Sequence, residues 1–544
     1  MTETSRHRVR PARGRVALPA VTAGVGLALS LPPWGWWILA FPAAGLLWWR
    51  LGGLRPRTRL WAGWMAGLGC YGPGLMWSRS FTTPGALVLI ALEAGFVAVA
   101  CLVVPAGPVV ARALAFPAAL TLAEALRMTW PFGGLPIGGV FLGQAGGPIL
   151  GIARLGGPLG LNAAVYIGGV GLACLAEGAV RAVRDGTRAA GFTRAEQAAG
   201  GDGAGGGSGS GRVSGALAGT GALALVGVVA VGMVAAAAVG ADHAPDGGPP
   251  VATVTVAAVQ GGGARGFRKS QIDPAVVLAA QMQATQRMQQ LDHGADPELV
   301  LWPEDVVSLD TALSDSPEEG VLSGLARTLH TTLVVGVTET VSPTAFRNEV
   351  VAFGPDGTLV SRFEKVHRVP FGEYVPYRSL FAHVANLSAV PLDAVPGTGT
   401  GLMPTPAGPL GAMVSYEVFY ADRGRSSVRA GAQLLIVPTN TSSYATAQVP
   451  TQEIAASEVQ AVQQGRDLLQ AAPTGYSAAI THRGVLLERS VLGARQVVSA
   501  TLARRDGTTL YVRFGDAPVL VLAALALLSG WLLSGRGRRA RRPR

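Results

Sequence analysis

The sequence predicts a two-part molecule: a multi-pass α-helical membrane domain with eight spans, and an α/β domain placed before the last span. Three observations predict it. Of 544 residues, 49% are hydrophobic and only 14% are charged, where a soluble domain carries about 25% charged residues. Eight apolar stretches approach the roughly 20 residues that cross a bilayer. Between the seventh and eighth, residues 241–516 alternate strand-like and helix-like patterns. The composition excludes an ordinary soluble protein, a disordered chain and a disulfide scaffold.

The expected spans, in order, are 16–32, 34–50, 59–78, 84–106, 109–129, 157–180, 214–240 and 517–534. Pro105 and Pro108 interrupt the long run that holds the fourth and fifth. Arginines cluster before the first span (Arg6 to Arg15), after the second (Arg50 to Arg59), after the sixth (Arg181 to Arg194) and after the eighth (Arg536 to Arg544). With eight spans all these clusters fall on one side, which the positive-inside rule makes the cytoplasm. Both termini, the basic tails 1–15 and 535–544, are then cytoplasmic. So is 181–213, read as a flexible loop for its Gly-rich run. The domain 241–516 lies outside the cell membrane. The first span is read as retained, because Pro32-Pro33-Trp34 leads from it straight into another span.

Charge follows the same division. From Asp242 to Asp516 there are 26 acids and 20 bases, net −6, while the rest has 7 acids and 24 bases, net +17. The basicity therefore belongs to the flanks of the spans and does not indicate a nucleic-acid partner. Cys70, Cys101 and Cys174 all lie in apolar runs, so the outer domain has no disulfide and no thiol nucleophile. The seven His show no ligand spacing, and no metal or cofactor is expected.

In the outer domain, 251–260, 300–304, 332–338, 349–353, 410–419 and 434–438 read as strands, and 275–290 and 454–465 as helices. A further helix is expected between 419 and 434. Four places in this domain put polar groups where an apolar strand ends. Leu301-Trp302-Pro303-Glu304 ends in a carboxylate just after a Pro that closes the ladder. Lys365 follows a strand-like run and is one of only two lysines, with Lys269, against 42 arginines. A lysine kept in such a chain suggests a need for a compact charge with a tunable pKa. Val414-Ser415-Tyr416-Glu417 places a hydroxyl where a strand turns, and Pro438-Thr439-Asn440-Thr441 does the same one strand later. Taken singly, each reads equally well as a solvated acid, a surface lysine or a cap.

Together, the order and spacing of these places resemble the nitrilase (carbon–nitrogen hydrolase) superfamily. The run Pro370-Phe371-Gly372-Glu373-Tyr374-Val375-Pro376 is the most specific segment. Seven spans before such a domain and one after it narrow the resemblance to the apolipoprotein N-acyltransferase family. The resemblance implies an αββα sandwich. It makes Glu304 the general base, Lys365 the oxyanion-stabilising ammonium and Glu373 a second acid beside the lysine. Tyr416 and Glu417 would flank the nucleophile, and Asn440 would face the substrate. The implied substrates are a phospholipid acyl donor and diacylglyceryl-cysteine lipoproteins, handled by a monomer in a bacterial cell membrane.

The sequence departs from the family where Ser415 stands in place of the nucleophilic Cys. Thr441 and Ser443 replace the Asp and Trp that follow Asn440, and Gln460-Ala461-Val462-Gln463 replaces Arg-Ala-x-Glu. Four readings stay open: a Ser-dependent acyltransferase, an enzyme with another nucleophile, an impaired lipoprotein-binding paralogue, and a membrane-anchored amidase. Phe371, Tyr374, Tyr377, Leu380, Phe381, Val384, Leu387 and Val390 form a mostly apolar segment. It reads either as a lid over the site that dips into the outer leaflet or as sandwich core.

Overall fold

A computed structural model describes residues 13–198, 209–263, 273–290, 296–383, 387, 390–444 and 446–539. The basic tails to residue 12 and from 540, the centre of the Gly-rich loop, Lys269 and Val384 lie outside the described residues.

Eight helices lie at the places of the expected spans. They are α1 (Arg13–Ser30), α2 (Ala40–Arg50), α3 (Pro56–Gly74), α4 (Thr83–Val103), α5 (Val109–Arg127), α6 (Ala153–Ala198), α7 (Gly209–Asp242) and, after the α/β domain, a last one at Ala517–Arg539. Among the described residues, five helices are long and apolar enough to cross a membrane: Thr83–Val103, Val109–Arg127, Leu150–Asp185, Gly219–Asp242 and Ala517–Gly535. The second expected span is shorter than its apolar run. Trp37–Leu39 forms a 3₁₀ turn, and α2 has only 11 residues, about 16 Å of rise. The loop expected from 181 is helical as far as Ala198, as a continuation of α6.

The α/β domain contains α8 (Pro274–Gln290), α9 (Pro317–Leu329), α10 (Arg378–Phe381), α11 (Ala421–Arg429), α12 (Gln448–Gln464) and α13 (Leu510–Phe514), which makes the last long helix α14. Its first strands are β1 (Ala252–Gln260), β2 (Leu299–Leu301), β3 (Val307–Leu309), β4 (Thr332–Ser342), β5 (Ala345–Phe353), β6 (Leu359–Glu364) and β7 (Asp393–Ala394). Then follow β8 (Leu402–Met403), β9 (Leu410–Ala412), β10 (Leu434–Pro438), β11 (Leu468–Ala471), β12 (Ala478–Ile480), β13 (Leu486–Arg489) and β14 (Gln496–Arg504). One sheet runs β14-β1-β2-β4-β5-β6, with β3 and β7 attached. The other runs β13-β12-β11-β10-β9-β8.

Strand alternation builds the layers. Val254, Val256, Leu299 and Leu301 point between the sheets, where they meet Leu410, Ala412, Leu434 and Ile436. Their neighbours Ala257, Val259 and Val300 face outward onto Ala284 and Met288 of α8 and Leu322 and Ala326 of α9. On the far side, Leu435 and Val437 pack with Val449, Ile454 and Val459 of α12 and continue into the membrane-domain core. The result is an αββα sandwich whose α12 layer rests on the membrane helices.

Helix α12 is fastened there by two glutamines. Gln448 donates to the carbonyls of Pro73 (2.7 Å) and Gly74 (3.1 Å) at the end of α3 and accepts from Trp77 N (3.0 Å). Gln452 donates to Gly74 O (3.2 Å) and accepts from Gly138 N (3.0 Å). They satisfy carbonyls that a helix end leaves without partners.

Candidate active site

All four polar strand ends lie at carboxyl ends. β1, β2 and β4 run parallel in one sheet, and β9, β10 and β11 run parallel in the other. That is where open α/β sheets gather ligands. After β2, Pro303 turns the chain and Glu304 points inward. The close approach requires Gly336 of β4, because a Cβ there would lie 2.4 Å from Pro303 O and 2.5 Å from Glu304 Cα.

Lys365 follows β6 directly and is buried. Its Nζ donates to Glu304 Oε1 (2.8 Å) and Glu373 Oε1 (2.7 Å). Asn348 of β5 donates its amide to the same two oxygens, at 2.8 and 3.1 Å. Glu373 Oε2 accepts from Val369 N (2.8 Å), which closes the 369–373 turn. Burial alone would lower the Lys365 pKa, but the two carboxylates outweigh it and hold the ammonium charged. Burial pushes Glu373 the other way, above the usual carboxylate range, with Lys365 opposing it. Asn348 is a site residue the sequence did not single out. In the sequence it stands between Arg347 and Glu349 at the polar end of a strand, with no local feature to set it apart.

The expected strand 410–419 ends at Ala412, and 415–419 is a 3₁₀ turn. Ser415 sits at its start with φ +52°. A left-handed serine costs roughly 1–2 kcal/mol, and such outliers gather at functional sites. Glu417, fully buried, ties this turn to the lysine loop. Its Oε2 accepts from Val414 N (2.8 Å), and its Oε1 accepts from Val366 N (2.8 Å) and His367 N (3.0 Å). One carboxylate therefore sets the spacing between Ser415 and Lys365.

Ser415 does not bond to Glu304 or Lys365. Its hydroxyl meets Thr439 Oγ1 at 3.2 Å. Glu304 and Lys365 are joined, while the serine is held from the β10 side. His367 stacks on Tyr420 (centroids 4.1 Å) and faces Asp422 Oδ2 at 3.6 Å. Asn440 closes a local turn, its Oδ1 accepting from Ser442 N (3.1 Å) and Ser442 Oγ (2.6 Å). Tyr416 is a docking residue. Its hydroxyl and that of Tyr420 both donate to Gly134 O at 3.0 Å.

Gly134 belongs to a membrane-domain loop and has φ +86°, with no room for a side chain beside Met128. Arg127, buried at the end of α5, holds that loop. It donates to the carbonyls of Leu135, Pro136 (3.2 Å) and Ile137 (3.2 Å). It also pairs with Glu124 through two bonds (2.9 and 2.7 Å) and with Glu93 (3.1 Å). The membrane domain thus reaches the turn that carries Ser415 through two tyrosines and one carbonyl.

An αββα sandwich with glutamate and lysine joined at its strand ends is a carbon–nitrogen hydrolase fold, and the carbon–nitrogen hydrolase family model matches residues 255–510. The apolipoprotein N-acyltransferase N-terminal domain model matches residues 23–171. An apolipoprotein N-acyltransferase of Mycolicibacterium smegmatis is 30% identical over 94% of this chain and 84% of its own length. One of Geobacter metallireducens is 32% identical over 42% of this chain, a match that spans 46% of that protein. Among solved structures, Saccharomyces cerevisiae Nit3, a member of the nitrilase superfamily, is similar over 47% of this chain and 91% of its own. That likeness has 19% identity and a TM-score of 0.36. The chain belongs to the apolipoprotein N-acyltransferase family, within the carbon–nitrogen hydrolase superfamily.

Proposed function

We propose that the chain moves an acyl chain from a membrane phospholipid to the terminal amine of diacylglyceryl-cysteine lipoproteins, through an ester on Ser415. The observation that carries this reading is the buried Glu304–Lys365–Glu373 cluster, coupled through Glu417 to a strained serine turn.

In the first half, Glu304 takes the Ser415 proton as Oγ attacks the acyl carbonyl. Lys365 and backbone N–H groups beside Ser415 stabilise the oxyanion, a donor of this kind being worth about 3–4 kcal/mol. Collapse releases the lysophospholipid, whose oxygen takes the proton from Glu304. In the second half, the lipoprotein amine attacks the ester, gives its proton to Glu304 and leaves as the amide, and Ser415 Oγ is reprotonated. Glu373 and Asn348 hold Lys365 and Glu304 in place. Tyr416 and Glu417 set the turn, and Asn440 shapes the loop beside it.

Eight crossings, cytoplasmic termini, an extracytoplasmic sandwich and a monomeric enzyme complete the proposal. The Arg clusters support the orientation, and five helices long and apolar enough to cross, among the described residues, support part of the crossing number. The apolar segment after Lys365 supports access from lipid. Phe371 is 45% exposed, Tyr377 72% and Leu380 65%, which favours a lid over sandwich core. Phe132 of the membrane domain meets Phe371 and Tyr377 edge-on, at 5.9 and 6.1 Å. A fluorescent probe at Leu380 is expected to be quenched by a quencher placed in the outer leaflet. A probe that stays unquenched removes the lid.

Mass spectrometry of lipoprotein N-termini in a strain lacking this protein tests the function. Loss of the N-acyl group supports it, and unchanged triacylation would instead leave a binding protein or an amidase. In the same strain Ser415→Ala is expected to lower transfer at least about 10³-fold, as loss of a nucleophile does. Ser415→Cys is expected to raise it, because a thiol ionises near pKa 8.5, well below a hydroxyl. An alanine form as active as wild type removes Ser415 from the reaction.

A further inference from the structure

Behind Ser415 lies a carboxylate that the mechanism above does not use. Thr439 follows β10 and is fully buried. Its Oγ1 is 3.2 Å from Ser415 Oγ and makes a close hydrogen bond with Glu453 Oε1. Glu453 projects from α12 and is 2% exposed, and its other oxygen has no partner. A hydroxyl has one proton, so Thr439 cannot donate to both neighbours at once. If Glu453 is ionised, Thr439 donates to it and can only accept from Ser415. If Glu453 is protonated, it donates to Thr439, and Thr439 donates to Ser415.

Geometry and burial favour the second state. A buried carboxylate with an unpartnered oxygen is costly when charged and tolerable when neutral. Burial pushes Glu453 up to about 8, with Thr439 and Lys365 opposing and Glu304 reinforcing the shift. The ionisable groups that act on it are Glu304 after β2, Lys365 after β6 and Tyr444 after β10.

We propose that Glu453 and Thr439 form a hydrogen-bond donor chain that ends on Ser415 Oγ, with Thr439 a further catalytic residue and Glu453 its positioning residue. The inference rests on Ser415 being the nucleophile. As Glu304 removes the serine proton, negative charge builds on Oγ, and the Thr439 O–H bond to it shortens and strengthens. Thr439 keeps its own proton throughout, and so does Glu453. The chain lowers the cost of ionising a hydroxyl, which is the difficulty a serine brings to a site built around a more acidic thiol. It also leaves the Ser415 proton free to leave on the side away from Thr439.

The test is the rate at which a fluorophosphonate probe labels Ser415 in the full-length protein in detergent, followed against pH. Thr439→Val and Glu453→Ala are expected to label about 10- to 100-fold more slowly than wild type near neutral pH, as loss of one such donor does. Thr439→Ser keeps the hydroxyl and restores most of the rate. Glu453→Gln keeps a donor toward Thr439 that cannot ionise. The gain supplied by the chain should fade in wild type as pH rises through about 8, and Glu453→Gln should not show that loss. A merely structural role would slow the variants without moving the pH profile.

The proposal is overturned if Thr439→Val and Glu453→Ala label at the wild-type rate, if Glu453→Gln keeps the wild-type alkaline fall, or if wild-type Ser415 is not labelled. Acyl transfer by Ser415→Ala separates the causes. Transfer at the wild-type rate would remove the nucleophile itself, whereas an inactive Ser415→Ala beside unaffected Thr439 and Glu453 variants removes only the donor chain.

Discussion

Lys365→Met is expected to abolish acyl transfer and to destabilise the α/β domain by about 3–5 kcal/mol near neutral pH, the cost of leaving buried charge without its partner. The ammonium is the only cation bonded to Glu304 and Glu373 among the described residues, at 2.8 and 2.7 Å. Methionine fills much of its volume but leaves two carboxylates facing each other across Asn348. The loss should depend on pH in a definite direction. In wild type the Lys365 pKa is raised by its two carboxylates against the effect of burial. Its contribution is therefore complete below the ordinary lysine value of about 10.4 and is lost only as pH rises through the higher folded value. In the variant Glu373 loses the ammonium, and burial, which already lifts it, is opposed mainly by the Val369 N–H bond. A carboxyl whose folded pKa is raised stabilises below its unfolded pKa and loses that contribution as pH rises through the folded value. Thermal unfolding should therefore show a large gap between variant and wild type near pH 8 that narrows toward pH 5. A gap that widens on acidification would contradict this reading.

Glu417→Ala should be the next most damaging change. It removes the acceptor for Val414 N, Val366 N and His367 N at once and leaves Arg423, 3.5 Å from Glu417 Oε1, without its carboxylate. Hydrogen bonds to a charged group are worth about 1.5–3 kcal/mol each, so a stability loss of at least about 3 kcal/mol is expected. Transfer should fall at least about 10²-fold even where the protein stays folded, because small misplacements of reacting groups have costs of that size. Glu417→Gln offers one acceptor oxygen and should recover part of each. Kinetics and thermal unfolding on the two variants would separate placement from folding. Full activity in folded Glu417→Ala would show that the turn and the lysine loop are positioned independently.

Much of this was legible in the sequence because the chemistry sits where periodic segments stop. Glu304, Ser415 and Thr439 each follow a short apolar run and Lys365 follows the mixed run Leu359–Glu364, and the structure places each run as a strand of the sandwich. Sequence spacing could not supply the third dimension. Nothing local shows that Glu453, in a helix of ordinary composition, lies behind Thr439. Nor does it show that Asn348 turns its amide between two glutamates rather than toward solvent. Tyr416 reads as a neighbour of the nucleophile, but its hydroxyl goes to Gly134, some 280 residues earlier in the chain. Hydropathy found where the helices lie, but the second is shorter than its apolar run because Trp37–Leu39 forms a 3₁₀ turn ahead of α2.

The most direct test is the mass of the peptide containing Ser415 after the protein meets phospholipid alone, and again after a diacylglyceryl-cysteine peptide is added. The account predicts an added acyl mass on Ser415 that disappears as the peptide amine gains the same mass. Transfer that proceeds with the acyl group on another residue, or with Ser415 never modified, would contradict it.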